Sequence, residues 1–379
     1  MFANNPTSVE NGKEMSDINT KNFISFENRS FYFVLINLLT FRIFSRLPSL
    51  FPKFSGSAAA LSALFSGVIA FGVIFLISLS LKKHNSPNLA DAAFAVFGKI
   101  GGLIVCIISA FCLLLSATVT LGELCHLAKA ISFPASPFWF VLLFFAVSAA
   151  WGASRGVDAL ARTHSIFVPV IVLGLIVLIV STVFRGNLSN LVPIFGSGAE
   201  AVFGKGLSGT VMYTDLLVFF LLIPPKSKAP IPLKKILTAS ATGILLTCLF
   251  VLALNLSVSP SIISNDSFPF YLLMKEVYYG RFFQRIDSLM LLISSLSGML
   301  YLSLNASAFS HVAGRIFNPH RQKLIPPFYI AGVSIFTLLA NVLSSKIIGF
   351  LFFAFAFAGI LLVIITLFFA KRRVPDENI

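Results

Sequence analysis

Two charged residues stand inside stretches otherwise apolar enough to cross a bilayer: Asp215 in LSGTVMYTDLLVFFLLIPP (207–225) and Arg42 in LLTFRIFSRLP (38–48). An acid at the bilayer centre costs about 2.5–3.5 kcal/mol on insertion scales, so it faces a cavity or a partner. Three chemistries are open to Asp215: receiving a ligand ammonium, holding a proton, or pairing with Arg42. A purely structural alternative is capping of free backbone N–H groups at a helix break. Arg42 lies about 16 Å into its span at 1.5 Å per residue. Its guanidinium could grip a substrate carboxylate with two parallel bonds, or it could form a structural ion pair with Asp215 or snorkel to an interface. Thr40 and Thr214 stand beside this pair. Free helix ends near 39–40 and 211–214 would add backbone donors and acceptors there.

Four more residues are proton or gating candidates. Glu123, in TLGELCHLAK, would serve a gate or a proton step, or anchor the interface with His126 and Lys129. Asp158 and Arg162 are four apart, so on a helix they share one face, where a salt bridge is the plain reading. Asp287 with Arg285 reads as a vestibule or interface pair. A lone His311 reads as a helix-end residue. No GxSxG, HExxH, P-loop or CxxC occurs, so neither an enzyme nor a cofactor or metal site is expected. The four cysteines lie in apolar runs without metal spacing and read as packing residues.

The elements that must position these residues are membrane spans. Of 379 residues 57% are hydrophobic and only 11% charged, with a mean hydropathy of +0.93. A soluble domain carries about 25% charged residues. A span needs about 20 apolar residues, and ten stretches qualify: 31–51, 56–81, 100–127, 137–153, 165–184 (with a start one or two turns earlier left open), 207–223, 236–258, 286–313, 326–343 and 347–370. Residues 1–30 and 371–379 read as polar cytoplasmic tails around a membrane domain of 31–370. NLADAAFAVFGK (88–99) reads as an amphipathic helix at the inner interface, and 264–285 as an outer loop with a short helix. The net charge of +14 belongs to loops between spans rather than to a nucleic-acid surface. Lys and Arg fall mostly in loops on the side of both termini, which places those termini in the cytoplasm.

Ten spans divide as five plus five, and the first and sixth occupy corresponding positions in opposite directions. Each carries a buried charge and a pair of prolines near one end (Pro48 and Pro52; Pro224 and Pro225). That is the pattern of an inverted repeat whose two interrupted helices meet near the midplane, around a small-molecule site.

Several segments resemble those of the spore germination permeases, the B-subunits of germinant receptors within the amino acid–polyamine–organocation superfamily. FPASPFWFVLL (133–143) resembles the family's LPxTP opening of span four. GVDALARTHSIFVPVI (156–171) is similar to its GxExxAR segment, and TDLLVFFLLIP (214–224) to its GFE…P sixth span, with Asp215 in place of Glu. GRFFQRIDSLMLLI (280–293) resembles its entry into span eight. The first span departs from the pattern, with Phe41–Arg42 where the family tends to have a small, Gly-containing break. The resemblance implies a LeuT-like all-α fold and a membrane subunit that senses an amino-acid-like germinant in the cell or spore inner membrane. It further implies A- and C-type partner subunits and an inner-gate role for Asp158 and Arg162. The alternative is a stand-alone proton-coupled amino acid transporter, with the proton on Asp215 or Glu123.

Overall fold

The computed structural model describes residues 30–83, 88–184, 186–222, 233–265, 268–276, 286–316 and 325–342. Among these, all regular structure is helical. Six segments are long and apolar enough to cross a membrane: Leu47–Lys82, Val96–Ile131, Val157–Val183, Ala199–Leu222, Leu233–Ser257 and Ser288–Gly314. Shorter apolar helices cover Ser30–Phe44, Phe138–Ser154 and Ile325–Asn341. Together they account for the first nine expected spans. The tenth, 347–370, lies outside the described residues, as do both expected tails apart from Ser30.

The first span is interrupted as its prolines require. Helix α1 (30–40) gives way to a 3-10 turn, Phe41–Phe44, and then to extended backbone at Ser45 (φ −92°, ψ −177°). A proline ring clashes with the carbonyl four residues back, so Pro48 forbids α-helix through Phe44. The chain resumes as a 3-10 turn, Leu47–Ser49, and helix α2 (Leu50–Ser55). Ser45 repairs the break: its hydroxyl donates to the Arg42 carbonyl at 2.6 Å and accepts from the Leu47 N–H at 3.1 Å.

The sixth span is interrupted in the opposite sense. Its first half is a 3-10 segment of nine residues, Lys205–Tyr213, where runs beyond three or four residues are uncommon. Its second half is helix α8 (Leu216–Leu222), whose residues are nearly all buried. Ser66 of helix α3 (Ala59–Lys83) supports the 3-10 segment, its Oγ donating to the Gly206 carbonyl at 2.7 Å. The contact admits no side chain at Gly209, where a Cβ would stand 2.7 Å from Ser66 Oγ and 2.8 Å from Phe51 Cζ.

Around the two breaks run α4 (Leu89–Ile131), α5 (Phe138–Ser154), α6 (Val157–Val183), α9 (Leu233–Ser257), α12 (Ile286–Ile316) and α13 (Ile325–Val342). The short helices α7 (Ala199–Phe203), α10 (Pro260–Asn265) and α11 (Pro269–Glu276) lie between them. Helix α12 is the central post, packing on α4, α5, α6, α8 and α13. The most hydropathic window of Ala199–Leu222 is 76% buried, against 33% for Val157–Val183. The interrupted sixth span is therefore interior, while α6 and α5 turn large apolar side chains such as Leu173, Phe144 and Trp151 outward, as lipid-facing helices do.

The stretch 88–99 is helical, as expected, and Gly98 sets it off from span three with a φ of 72° and ψ of −166°, a kink in α4 at a conformation only glycine adopts readily. Span five begins at Val157, about two turns ahead of Ser165 and at the earlier start the sequence allows, with His164 buried.

Candidate functional site

Arg42 and Asp215, 173 residues apart, meet where the two interrupted spans lose their α-helix. The Arg42 Nε–H donates to Asp215 Oδ2, and its Nη2 donates to Oδ1 at 2.9 Å. This is the two-point geometry that fits a guanidinium to a carboxylate. Arg42 is 0% and Asp215 2% exposed, so neither charge could persist here without the other.

Two more helices complete the carboxylate's coordination, and a third backs them. From α4, Ser116 Oγ accepts from Arg42 Nη2 at 2.9 Å and donates to Asp215 Oδ1 at 2.7 Å. From α12, the Tyr301 hydroxyl donates to the same oxygen at 2.5 Å. Behind it, Asn305 Nδ2 donates to the Tyr301 oxygen at 3.2 Å, and Tyr329 of α13 donates to Asn305 Oδ1 at 2.7 Å. Tyr301 also stacks on Phe41, with centroids 4.2 Å apart and planes at 14°. Buried polar chains of this kind hold only when each member is satisfied, and this one ties both breaks to α4, α12 and α13.

Glu123 stands two turns along α4 from Ser116, with Oε2 3.9 Å from Arg42 Nη1. That oxygen is buried and has no hydrogen-bond partner. Thr40 and Thr214 flank the pair, but their hydroxyls donate to carbonyls of their own helical turns, Ile36 at 2.9 Å and Val211 at 2.9 Å. Asp158 and Arg162 are exposed at the start of α6 and form no ion pair with each other. Asp287 is in the first turn of α12, and its side chain lies outside the described residues. The structure thus joins Arg42, Asp215 and Glu123 with Thr40 and Thr214 close by, and leaves Asp158 and Arg162 apart.

Sequence reasoning missed Ser116, Tyr301, Asn305 and Tyr329. Hydroxyl and amide groups scattered in apolar helices look ordinary one at a time. A usable signal exists in α12, where Ser297, Tyr301 and Asn305 recur every fourth residue on one face. No group of His, Cys, Asp and Glu capable of holding a metal ion occurs among the described residues.

The arrangement has the fold of a solved transporter-like structure. The crystal structure of MhsT in complex with L-phenylalanine superposes with a TM-score of 0.64, covering 88% of this chain and 87% of that one at 13% identity. The LeuT-like all-α membrane fold expected from the sequence is therefore the fold observed. No curated protein matches the sequence. The family model described as "Spore germination protein" matches residues 47–346, which begins after Arg42 at the end of the first span and takes in the whole of spans two to nine. With well over half of its length matched, the chain belongs to the spore germination protein family.

Proposed function

We propose that this protein is the membrane-embedded, ligand-sensing subunit of a germination receptor, taking a small amino-acid-like molecule between its first and sixth spans. The observation that carries this reading is the Arg42–Asp215 pair, which ties the two helix breaks together across the core. A free amino acid bears the complementary charges, a carboxylate for Arg42 and an ammonium for Asp215. Its entry exchanges one internal pair for two ligand–protein pairs, keeps every buried charge compensated, and parts the breaks. Backbone groups freed at Thr40 and Thr214 complete the ligand's hydrogen bonds. Glu123 gates the outer side of the site, Asp287 marks its vestibule, and Asp158 with Arg162 forms the inner gate.

Ligand binding then favours the arrangement with the breaks apart, a population shift transmitted to A- and C-type subunits in the spore inner membrane. The L-phenylalanine held by MhsT, in the same fold, supports the ligand class, and the family supports the setting. The distribution of Lys and Arg supports cytoplasmic termini.

The test is thermal stabilisation of the purified full chain in nanodiscs by each common amino acid. At least one should raise the melting temperature, and Asp215→Asn, still folded, should lose that response. If none shifts the wild-type protein, the reading fails. A second reading, proton-coupled amino acid transport, is favoured by the unbonded buried oxygen of Glu123. Proteoliposome uptake driven by a pH gradient would distinguish it.

A further inference from the structure

A second buried polar cluster lies away from the ligand site and joins α1, α6 and α12. His164 of α6 is 0% exposed, as are Asn37 of α1 and Ser297 of α12. One ring nitrogen, Nδ1, faces the Leu160 carbonyl at 2.7 Å. A carbonyl only accepts, so Nδ1 carries the proton, and Nε2 of the neutral ring is an acceptor. Nε2 receives the Asn37 amide Nδ2 at 3.4 Å. The same amide donates to the Ser297 carbonyl at 3.3 Å, and Ser297 Oγ donates to Asn37 Oδ1 at 2.7 Å. In this state every partner is matched, donor to acceptor.

We propose that His164 is a proton-binding site whose occupancy releases the inner half of the first span from α12. The step adds one proton to the Nε2 lone pair and makes the ring a donor at both nitrogens. Nε2–H then meets the Asn37 amide nitrogen, donor against donor. Turning the amide over presents Oδ1 to Nε2–H and leaves Nδ2 to the Ser297 hydroxyl, which can accept. The same turn sets Asn37 Oδ1 against the Ser297 carbonyl oxygen, where a hydrogen bond stood. The α1–α12 contact therefore changes from attractive to repulsive at Asn37, three residues before α1 ends and the Arg42 turn begins.

Leu160, Thr163, Leu296 and Leu300, which neighbour His164 and Ser297 in sequence, line a groove of about 980 Å³ with Arg155 and Trp151, while His164 itself is fully buried. Charged and titratable groups on the elements around His164 are Tyr32 on α1, Arg42 in the turn after it, Arg155 after α5, Lys234, Lys235 and Cys248 on α9, Tyr271, Lys275 and Glu276 on α11, and Asp287, Tyr301, His311 and Arg315 on α12. Asp158 and Arg162 are on α6 itself. None of the described side chains among them hydrogen-bonds to the imidazole, so the added charge acts on Asn37 and not on a pre-existing ion pair. The inference does not depend on what occupies the ligand site.

The experiment uses the full chain in nanodiscs with His84, His126, His311 and His320 replaced by Gln, leaving one imidazole for nitrogen NMR across pH. Hydrogen exchange of residues 30–40, corrected for intrinsic rates, is followed in parallel. The imidazole should titrate, and exchange in α1 should rise with the same midpoint by about tenfold, the coupling that one pKa unit of differential protonation delivers. In His164→Gln the pH response of α1 should vanish. Should that variant not fold, coincidence of the two midpoints in the single-histidine protein decides the matter. A ring that stays neutral throughout, a pH response that survives in His164→Gln, or a response to Na⁺ at fixed pH in place of protons would each overturn the proposal.

Discussion

Tyr301 stacks face to face on Phe41, centroids 4.2 Å apart, while its hydroxyl donates to Asp215 at 2.5 Å. One side chain of the central post therefore grips the break in the first span by its ring and the break in the sixth by its oxygen. Tyr301→Phe separates the two grips, keeping the stack and losing the bond to a carboxylate. A hydrogen bond to a charged group contributes about 1.5–3 kcal/mol. The variant should melt several degrees lower, with Asn305→Ala adding little on top because its link to the site is already cut. Thermal unfolding of the two single variants and the double checks this.

Removing one member of the Arg42–Asp215 pair leaves a buried charge uncompensated. Arg42→Met should cost about 3–5 kcal/mol, whereas the double change with Asp215→Leu should regain much of that loss. A double-mutant cycle on unfolding free energy gives the coupling directly. Additive losses would mean that the two side chains do not interact in the membrane-embedded protein. The reciprocal swap, Arg42→Asp with Asp215→Arg, should recover part of what each reversal loses.

Close packing of the sixth span on its neighbours makes Gly209 the most sensitive small residue near the site. Gly209→Ala puts a methyl group against Ser66 and Phe51, and overpacking of this kind costs about 1–3 kcal/mol. Phe51→Leu in the same protein should relieve part of the loss. If Gly209→Ala alone melts like the wild type, the 3-10 segment does not sit against α2 as described.

Lys235, at the start of α9, and Lys275, on α11, are both exposed and should lie on opposite sides of the membrane. Cysteines placed there should react with an impermeant maleimide from opposite faces of sealed vesicles. Reaction from the same face would remove the proposed orientation of spans seven and eight.

What could be read from the sequence were the exceptions to hydropathy. Arg42 and Asp215 are conspicuous because charge inside an apolar run is costly, and the prolines mark where the first span must break. That logic also located Glu123. It is blind to Ser116, Tyr301 and Asn305, whose side chains cost little in a membrane helix and acquire meaning only when a neighbouring helix supplies a partner. His164 was hidden differently, since one imidazole in a helical stretch shows no partner until α1 and α12 supply Asn37 and Ser297. The kink at Gly98 depends on a backbone torsion that glycine permits but does not announce.

The 3-10 segment at Lys205–Tyr213 has a geometric consequence for Asp215, two residues beyond its end. A 3-10 helix rises about 2.0 Å and turns about 120° per residue, against 1.5 Å and 100° for an α-helix. Over nine residues the difference accumulates to about 4–5 Å of length and about half a revolution. Rewinding this segment to α-helix, with its first residues held by Ser66 of α3, would draw Asp215 toward that end and swing its carboxylate to the opposite side of the helix axis, away from Arg42. The sixth span thus holds a screw motion in its backbone, in which a change of helical pitch alone is enough to turn its acid from one neighbour to another.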